Sequence, residues 1–265
     1  MYRDMIDPYE VSKLTQGSIF NYAYSDKYLD KEILGVIITA RCDIENKKSP
    51  IYNYLPAVPY KIWVQEELFE ILKRRKLKDV ESNFLKKIEM LKYTRKTIDA
   101  FGLAEVIEKI RVKEIKGKDA ILKAAQKLEI ISSNLFSNEV VSEFEKDIEN
   151  INKELVENKL SDYFFIDNVK AYGACVVNLR EIHHFDNELA EIISDGFDFE
   201  TANSEDVVKY RAITNIDNGI VQLHGVIRSP YIELLMQRFS ELFSRIGVDN
   251  PSNKLAKELI NSIRS

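Results

Sequence analysis

Ile33-Leu34-Gly35-Val36-Ile37-Ile38-Thr39 is apolar at nearly every position, and that near-continuous apolarity predicts a strand buried on both faces. A shorter β-rich run, Gly17-Ser18-Ile19-Phe20-Asn21-Tyr22-Ala23, precedes it, and Ile51-Tyr52-Asn53-Tyr54-Leu55-Pro56-Ala57-Val58 follows. Pro56 has no N–H to give to a ladder, so the third strand is expected to end there or to lie at an edge. After Trp63 the apolar period changes. Val64, Leu68, Ile71 and Leu72 recur at helical spacing, as do Phe84, Leu85, Ile88 and Leu91, and later Val140, Val141, Phe144, Ile148, Ile151 and Leu155. Gly102 and Gly117-Lys118-Asp119 punctuate this helical block, with Asp119 the expected N-cap of the run through Leu128.

Strand character returns at Tyr163-Phe164-Phe165-Ile166 and from Ala174 to Ile182. Runs at Tyr210 to Ile216 and Ile220 to Ile227 flank Asp217-Asn218-Gly219, a hairpin signal because Asn-Gly tolerates positive φ at both central positions. Ser229-Pro230 is expected to supply the N-cap and first position of a helix carrying Leu235, Phe239, Leu242, Phe243 and Ile246, closed by Gly247, and a last short helix follows Pro251. The expected fold class is α+β: a small barrel built from residues 1–63 and 160–228, interrupted by a helical insertion at 64–159 and sealed by C-terminal helices at 229–265. Neither β segment alone has enough strands to bury a core.

The chain has 265 residues, 45% hydrophobic and 31% charged, and no apolar run approaches the roughly 18–20 residues that cross a bilayer. Ile6-Asp7-Pro8 stands where a secretory signal would place an apolar stretch, so cytoplasmic residence and no membrane partner are expected. Two cysteines, Cys42 and Cys175, exclude a disulfide scaffold and a cysteine-only zinc site. The net charge of −5 conceals polarity: Lys61–Lys118 carries about +6 and Asp119–Asp206 about −13. One reading is a solvated helical surface. The other is a phosphate-attracting face made by Lys73, Arg74, Arg75, Lys76 and Lys78, with Lys86 and Lys87, which would take RNA or DNA as partner.

Taken in order, the opening Gly17-Ser18-Ile19, the second strand Gly35-Val36-Ile37-Ile38-Thr39, the third Tyr54-Leu55-Pro56-Ala57-Val58 and the later Ala174 to Ile182 resemble the MazF/PemK family of SH3-like barrel toxins, which cleave single-stranded RNA. The resemblance implies an SH3-like barrel and a toxin–antitoxin or phage-defence setting. In that family an Arg before the second strand and a Thr or Ser after the third carry cleavage. Ile33-Leu34 and Val58 occupy those places here, so the resemblance implies the scaffold without the inherited active site.

Other residues remain candidates for chemistry. Cys42 beside Arg41 reads as a reactive thiol, or as a small buried hydrophobe with Asp43 capping the turn. His183-His184 are adjacent on a strand and so point to opposite faces; one reading has one ring join Asp43 or Cys42 in a dyad, and the commoner outcome is one buried, hydrogen-bonded ring and one solvated ring. Tyr52, Tyr54, Tyr60 and Trp63 beside Lys61 read as base-stacking platforms, or as side chains that line an outer barrel face or pack under the insertion. No metal-ligand spacing, phosphate loop or dinucleotide fingerprint is present, so no cofactor and no metal are expected. The leading expectation is recognition of nucleic acid or a partner protein rather than catalysis. An endoribonuclease using Arg41, Asp43, Arg180 and His183 is the alternative, and a non-enzymatic interaction adaptor is a third.

Overall fold

The computed structural model describes residues 3–9, 13–133, 135–202, 204–211 and 219–244. In chain order come β1 (Ile6–Asp7), β2 (Ser18–Asn21), β3 (Leu34–Ile37), the short α1 (Arg41–Glu45) and the long β4 (Ile51–Pro59). A helical segment follows: α2 (Tyr60–Trp63), a π-helical turn (Val64–Leu68), α3 (Phe69–Glu89), α4 (Arg95–Phe101), α5 (Leu103–Val112), α6 (Lys118–Ser132), α7 (Asn138–Glu143) and α8 (Glu145–Val156). Then come β5 (Tyr163–Val169), β6 (Gly173–Asn178), β7 (His183–Asp186), α9 (Asn187–Asp195), β8 (Phe197–Asp198), α10 (Ser204–Arg211), β9 (Ile220–Val221), β10 (Leu223–Ile227) and α11 (Tyr231–Ser244). Among the described residues no helix is long and apolar enough to cross a membrane.

The fold is mixed α+β around a nearly closed antiparallel seven-strand barrel, with strand order β1-β10-β2-β3-β4-β6-β5 and β7 pairing beside β6 on β4. Side chains alternate across this wall, as the pleat requires. Ile19, Leu34, Val36, Leu55, Ala57, Phe164, Ile166, Cys175, Val177 and Ile227 meet as one cluster on the inner face, which Ile232 and Leu235 of α11 close. Phe20, Ile37, Tyr54, Val58, Phe165 and Val176 face the other way, into a second cluster that runs without a break into Trp63, Leu72, Phe84, Ile110, Leu128 and Ile151. The wall and the helices therefore share one core, and β3 is buried on both faces. Each large side chain taken out of water there contributes roughly 1.5–3 kcal/mol before conformational entropy is counted.

Where β5 and β1 would complete the ring, no backbone ladder joins them among the described residues, and side chains make the seam. The Arg3 backbone N–H donates to Asp167 Oδ2 at 2.6 Å and its Nε to Oδ1 at 2.7 Å, while the Asp167 N–H donates to Met5 Sδ at 3.5 Å. Asp167 is buried, so these donors replace the water that a carboxylate would otherwise need.

Pro56 corrects an expectation. β4 neither ends there nor lies at an edge: Pro56 is opposite Gly35 of β3 in the middle of the wall. Ile38 N–H donates to the Asn53 carbonyl, and counting along that ladder turns the Pro56 nitrogen away from β3. On that far side β7 pairs with β4 up to Tyr54 and β6 takes over from Ala57, so the missing N–H falls in the gap between two partners and breaks no bond.

Smaller differences are local. Helix starts at Tyr60 rather than after Trp63, directly behind Pro59. Gly117, in the left-handed region at φ 80°, caps α6 in place of Asp119, which lies in the first turn. The β6 ladder ends at Asn178, and the separate strand β7 begins at His183. Tyr210 belongs to helix α10 rather than to a strand, whereas residues 212–218, and with them most of the expected hairpin turn, lie outside the described residues. Pro230 precedes α11, its carbonyl accepting from Leu234 N–H, and Ile246, Gly247 and the helix expected after Pro251 lie outside the described residues.

Candidate functional site

The gap at Pro56 is also where the chain leaves β6 and turns into β7. Asn178, the last residue of β6, folds the turn: its Oδ1 accepts from Arg180 N–H at 3.0 Å and its Nδ2 donates to Glu181 Oε2 at 3.2 Å. The turn aims Glu181 at the loop joining β2 to β3. There Glu181 Oε1 accepts from Ser25 Oγ at 2.7 Å and from Asp26 N–H at 2.7 Å. The same oxygen lies 2.7 Å from His183 Nε2.

His183 faces Tyr54 across the β4–β7 ladder, and its ring is held edge-on to Tyr24, with centroids 5.1 Å apart, and beside Tyr54 at 5.6 Å. Tyr54 hydroxyl donates to the Tyr24 carbonyl at 3.2 Å, and Tyr24 hydroxyl to Asp26 Oδ1 at 2.6 Å. Accepting by Asp26 raises the Tyr24 hydroxyl pKa, and burial raises that of Tyr54, so both hydroxyls stay protonated as donors. His184, the next residue, is exposed, as alternation along a strand requires.

A second carboxylate braces the same loop from the helical side. Glu67, only 4% exposed, accepts from Tyr28 hydroxyl at 2.8 Å and from Tyr163 hydroxyl at 2.7 Å, and pairs with Lys27. It sits in the π-helical turn, whose extra width lets Glu67, Leu68 and Phe69 all point inward in succession. Burial, then the Glu67 charge and hydrogen bond, push the Tyr28 hydroxyl upward, and Tyr163 is raised by the same influences. Residues 24–28 are thus clamped between Glu181 and Glu67. Asp26, Glu181 and His183 are the group among the described residues whose metal-ligating atoms come together, all within 4.8 Å of one another.

The residues expected from sequence are distributed around this centre. His183 lies in it, and Arg180 stands at its rim with Nε 2.9 Å from Asp162 Oδ1. Arg41 and Asp43 lie in α1, and no hydrogen bond or ion pair among the described residues joins them to Arg180 or His183. Ala40, not Asp43, is the N-cap of α1, and among the described residues no backbone N–H donates to the Asp43 carboxylate. Cys42 is exposed, its Sγ 3.7 Å from Asp43 Oδ1, whereas Cys175 is buried and burial pushes its thiol up to about 12. One equivalent of a thiol reagent is therefore expected to react with the native protein and a second only after unfolding; two fast equivalents in an absorbance titration would contradict that burial.

The basic residues lie on α3, where part of their charge is already engaged. Arg75 forms a two-point pair with Glu154 of α8, both contacts 2.8 Å, and Lys76 lies 2.6 Å from Asp147. The positive and negative stretches of the sequence meet here in space. Lys73 lies 3.5 Å from Glu70 with its ammonium over the Phe69 ring. Arg74, Lys78, Lys86 and Lys87 make no ion pair among the described residues. Arg74, with Arg75, Lys159, Asp162 and Tyr163, lines a cleft of about 530 Å³ between α3 and the start of β5. Asp162 links that cleft to Arg180 and so to the Glu181–His183 turn.

Sequence reasoning missed Ser25, Asp26, Glu67 and Glu181. Only Glu67 left a signal: three residues after Val64 and four before Ile71, it stands on the apolar stripe of its helix, where a charge requires a buried partner. No protein-family model, curated protein or solved structure matches the chain.

Proposed function

We propose that the protein recognises nucleic acid through the cleft between α3 and β5, on an SH3-like barrel into which residues 60–156 are inserted. The observation that carries this reading is Arg74, which stands on the lip of the cleft beside Tyr163 with no ion-pair partner among the described residues while its neighbours Arg75 and Lys76 are engaged by α8. Lys78 follows Arg74 by four residues on the same helix, so both charges lie on one face. Two unengaged cations on one exposed helix face suit a sugar-phosphate chain. The toxin–antitoxin or phage-defence setting belongs to the same proposal and rests on the order of strands alone.

The test is binding of labelled single-stranded RNA and DNA across a salt series. Native protein is expected to bind with a salt-dependent affinity. The double substitution Arg74→Ala with Lys78→Ala is expected to lower the slope of log K against log salt by about 1–1.5, since each phosphate contact on a single strand contributes about 0.7. An unchanged slope would overturn the interface and favour the adaptor. Cleavage in the same lanes, lost in His183→Ala, would make the protein an endoribonuclease instead.

A further inference from the structure

We propose that Asp26, Glu181 and His183 form a binding site for one first-row divalent cation with oxygen and nitrogen ligands. The inference does not rest on nucleic-acid recognition.

Cation bonds of about 2.0–2.2 Å place neighbouring donor atoms roughly 3–4 Å apart. The donors of the three side chains all lie within 4.8 Å of one another, so closing around an ion takes rotamer adjustments rather than backbone movement. The pair His183 Nε2 and Glu181 Oε1, 2.7 Å apart, sharpens the case. That contact is a hydrogen bond, and a divalent cation can take the proton's place, chelated beside the two atoms once they part by a few tenths of an ångström.

The surroundings orient the ligands before any ion arrives. Ser25 Oγ at 2.7 Å and Asn178 Nδ2 at 3.2 Å fix the Glu181 carboxylate. Tyr24 hydroxyl, 2.6 Å from Asp26 Oδ1, fixes one Asp26 oxygen, and the other accepts no hydrogen bond among the described residues. Tyr24 and Tyr54 hold the imidazole plane. Partners of this kind distinguish a prepared site from acidic groups that happen to be close. Asp26 is exposed, which leaves a path for entry and open positions for water or an anionic ligand. The imidazole among the donors favours zinc over calcium or magnesium, and the two carboxylates also suit manganese.

The experiment is equilibrium dialysis of the full chain against Mn2+ and Zn2+, with electron paramagnetic resonance of the Mn2+ sample. One equivalent is expected to bind, with nitrogen hyperfine coupling from the imidazole. His183→Gln and Asp26→Asn, each checked for a native unfolding transition without metal, are expected to weaken binding tenfold or more. Absence of a stoichiometric site, binding that survives both substitutions, or bound Mn2+ without nitrogen coupling would each overturn the proposal.

Discussion

Glu67→Ala is expected to destabilise the protein by about 3–5 kcal/mol, because it leaves the Lys27 charge and the buried Tyr28 and Tyr163 hydroxyls without their acceptor. For a chain of this size that corresponds to a fall of about 10 °C in Tm. Tyr28→Phe and Tyr163→Phe remove one donor each and leave Glu67 with the others, so each is expected to cost only about 1 kcal/mol. Denaturant unfolding followed by circular dichroism ranks the three. If Glu67→Ala proved no worse than either tyrosine variant, Glu67 would not be the keystone of the loop at 24–28.

Gly35→Ala is the second large effect, and its cause is space rather than backbone conformation. A Cβ at Gly35 would lie 2.3 Å from two carbons of the Phe20 ring and 3.1 Å from the Ala23 methyl. Phe20 cannot swing away, since Tyr54 and Phe185 stand edge-on to it at 5.2 and 5.7 Å. Overpacking of this kind costs about 1–3 kcal/mol. Phe20→Leu vacates the space the new methyl needs, so the double variant is expected to be more stable than the sum of the two single losses. Strict additivity of the denaturation free energies would show that the glycine is required for another reason.

How far these features can be read from sequence follows from the range over which each is determined. β3 and β4 announce themselves because their side chains alternate between two buried faces within a few residues. The helical segment does so because its apolar stripes repeat every turn. Pro56 misleads because its tolerance depends on β6 and β7, which lie more than a hundred residues away and exchange places at that point. Tyr210 misleads because aromatic and β-branched composition suits a buried helix face as well as a strand; it packs on Phe197 and Phe199. The expectation for the histidine pair, one buried and hydrogen-bonded ring and one solvated ring, is met in part: His183 is hydrogen-bonded but only half-buried, and His184 is exposed. The partner of His183 could not be foreseen. Glu181 is held by Ser25 and Asp26, and nothing in the local composition of a loop at 25–26 points to a turn 155 residues later.

The pairing of β10 with both β1 and β2 imposes an order in time on the newborn chain. Synthesis at roughly 5–20 residues per second places about 10–40 s between the emergence of β2 and that of β10. Throughout that interval β1 has no partner, and one edge of β2 offers unpaired amides next to Ile19 and Phe20, an invitation to any other extended chain nearby. The β2–β3–β4 meander is free to pair early, because its β2–β3 and β3–β4 ladders lie within residues 18–59. The ring cannot close until β10 has been made, so a ribosome that stalls before residue 223 leaves a product with an open, adhesive flank.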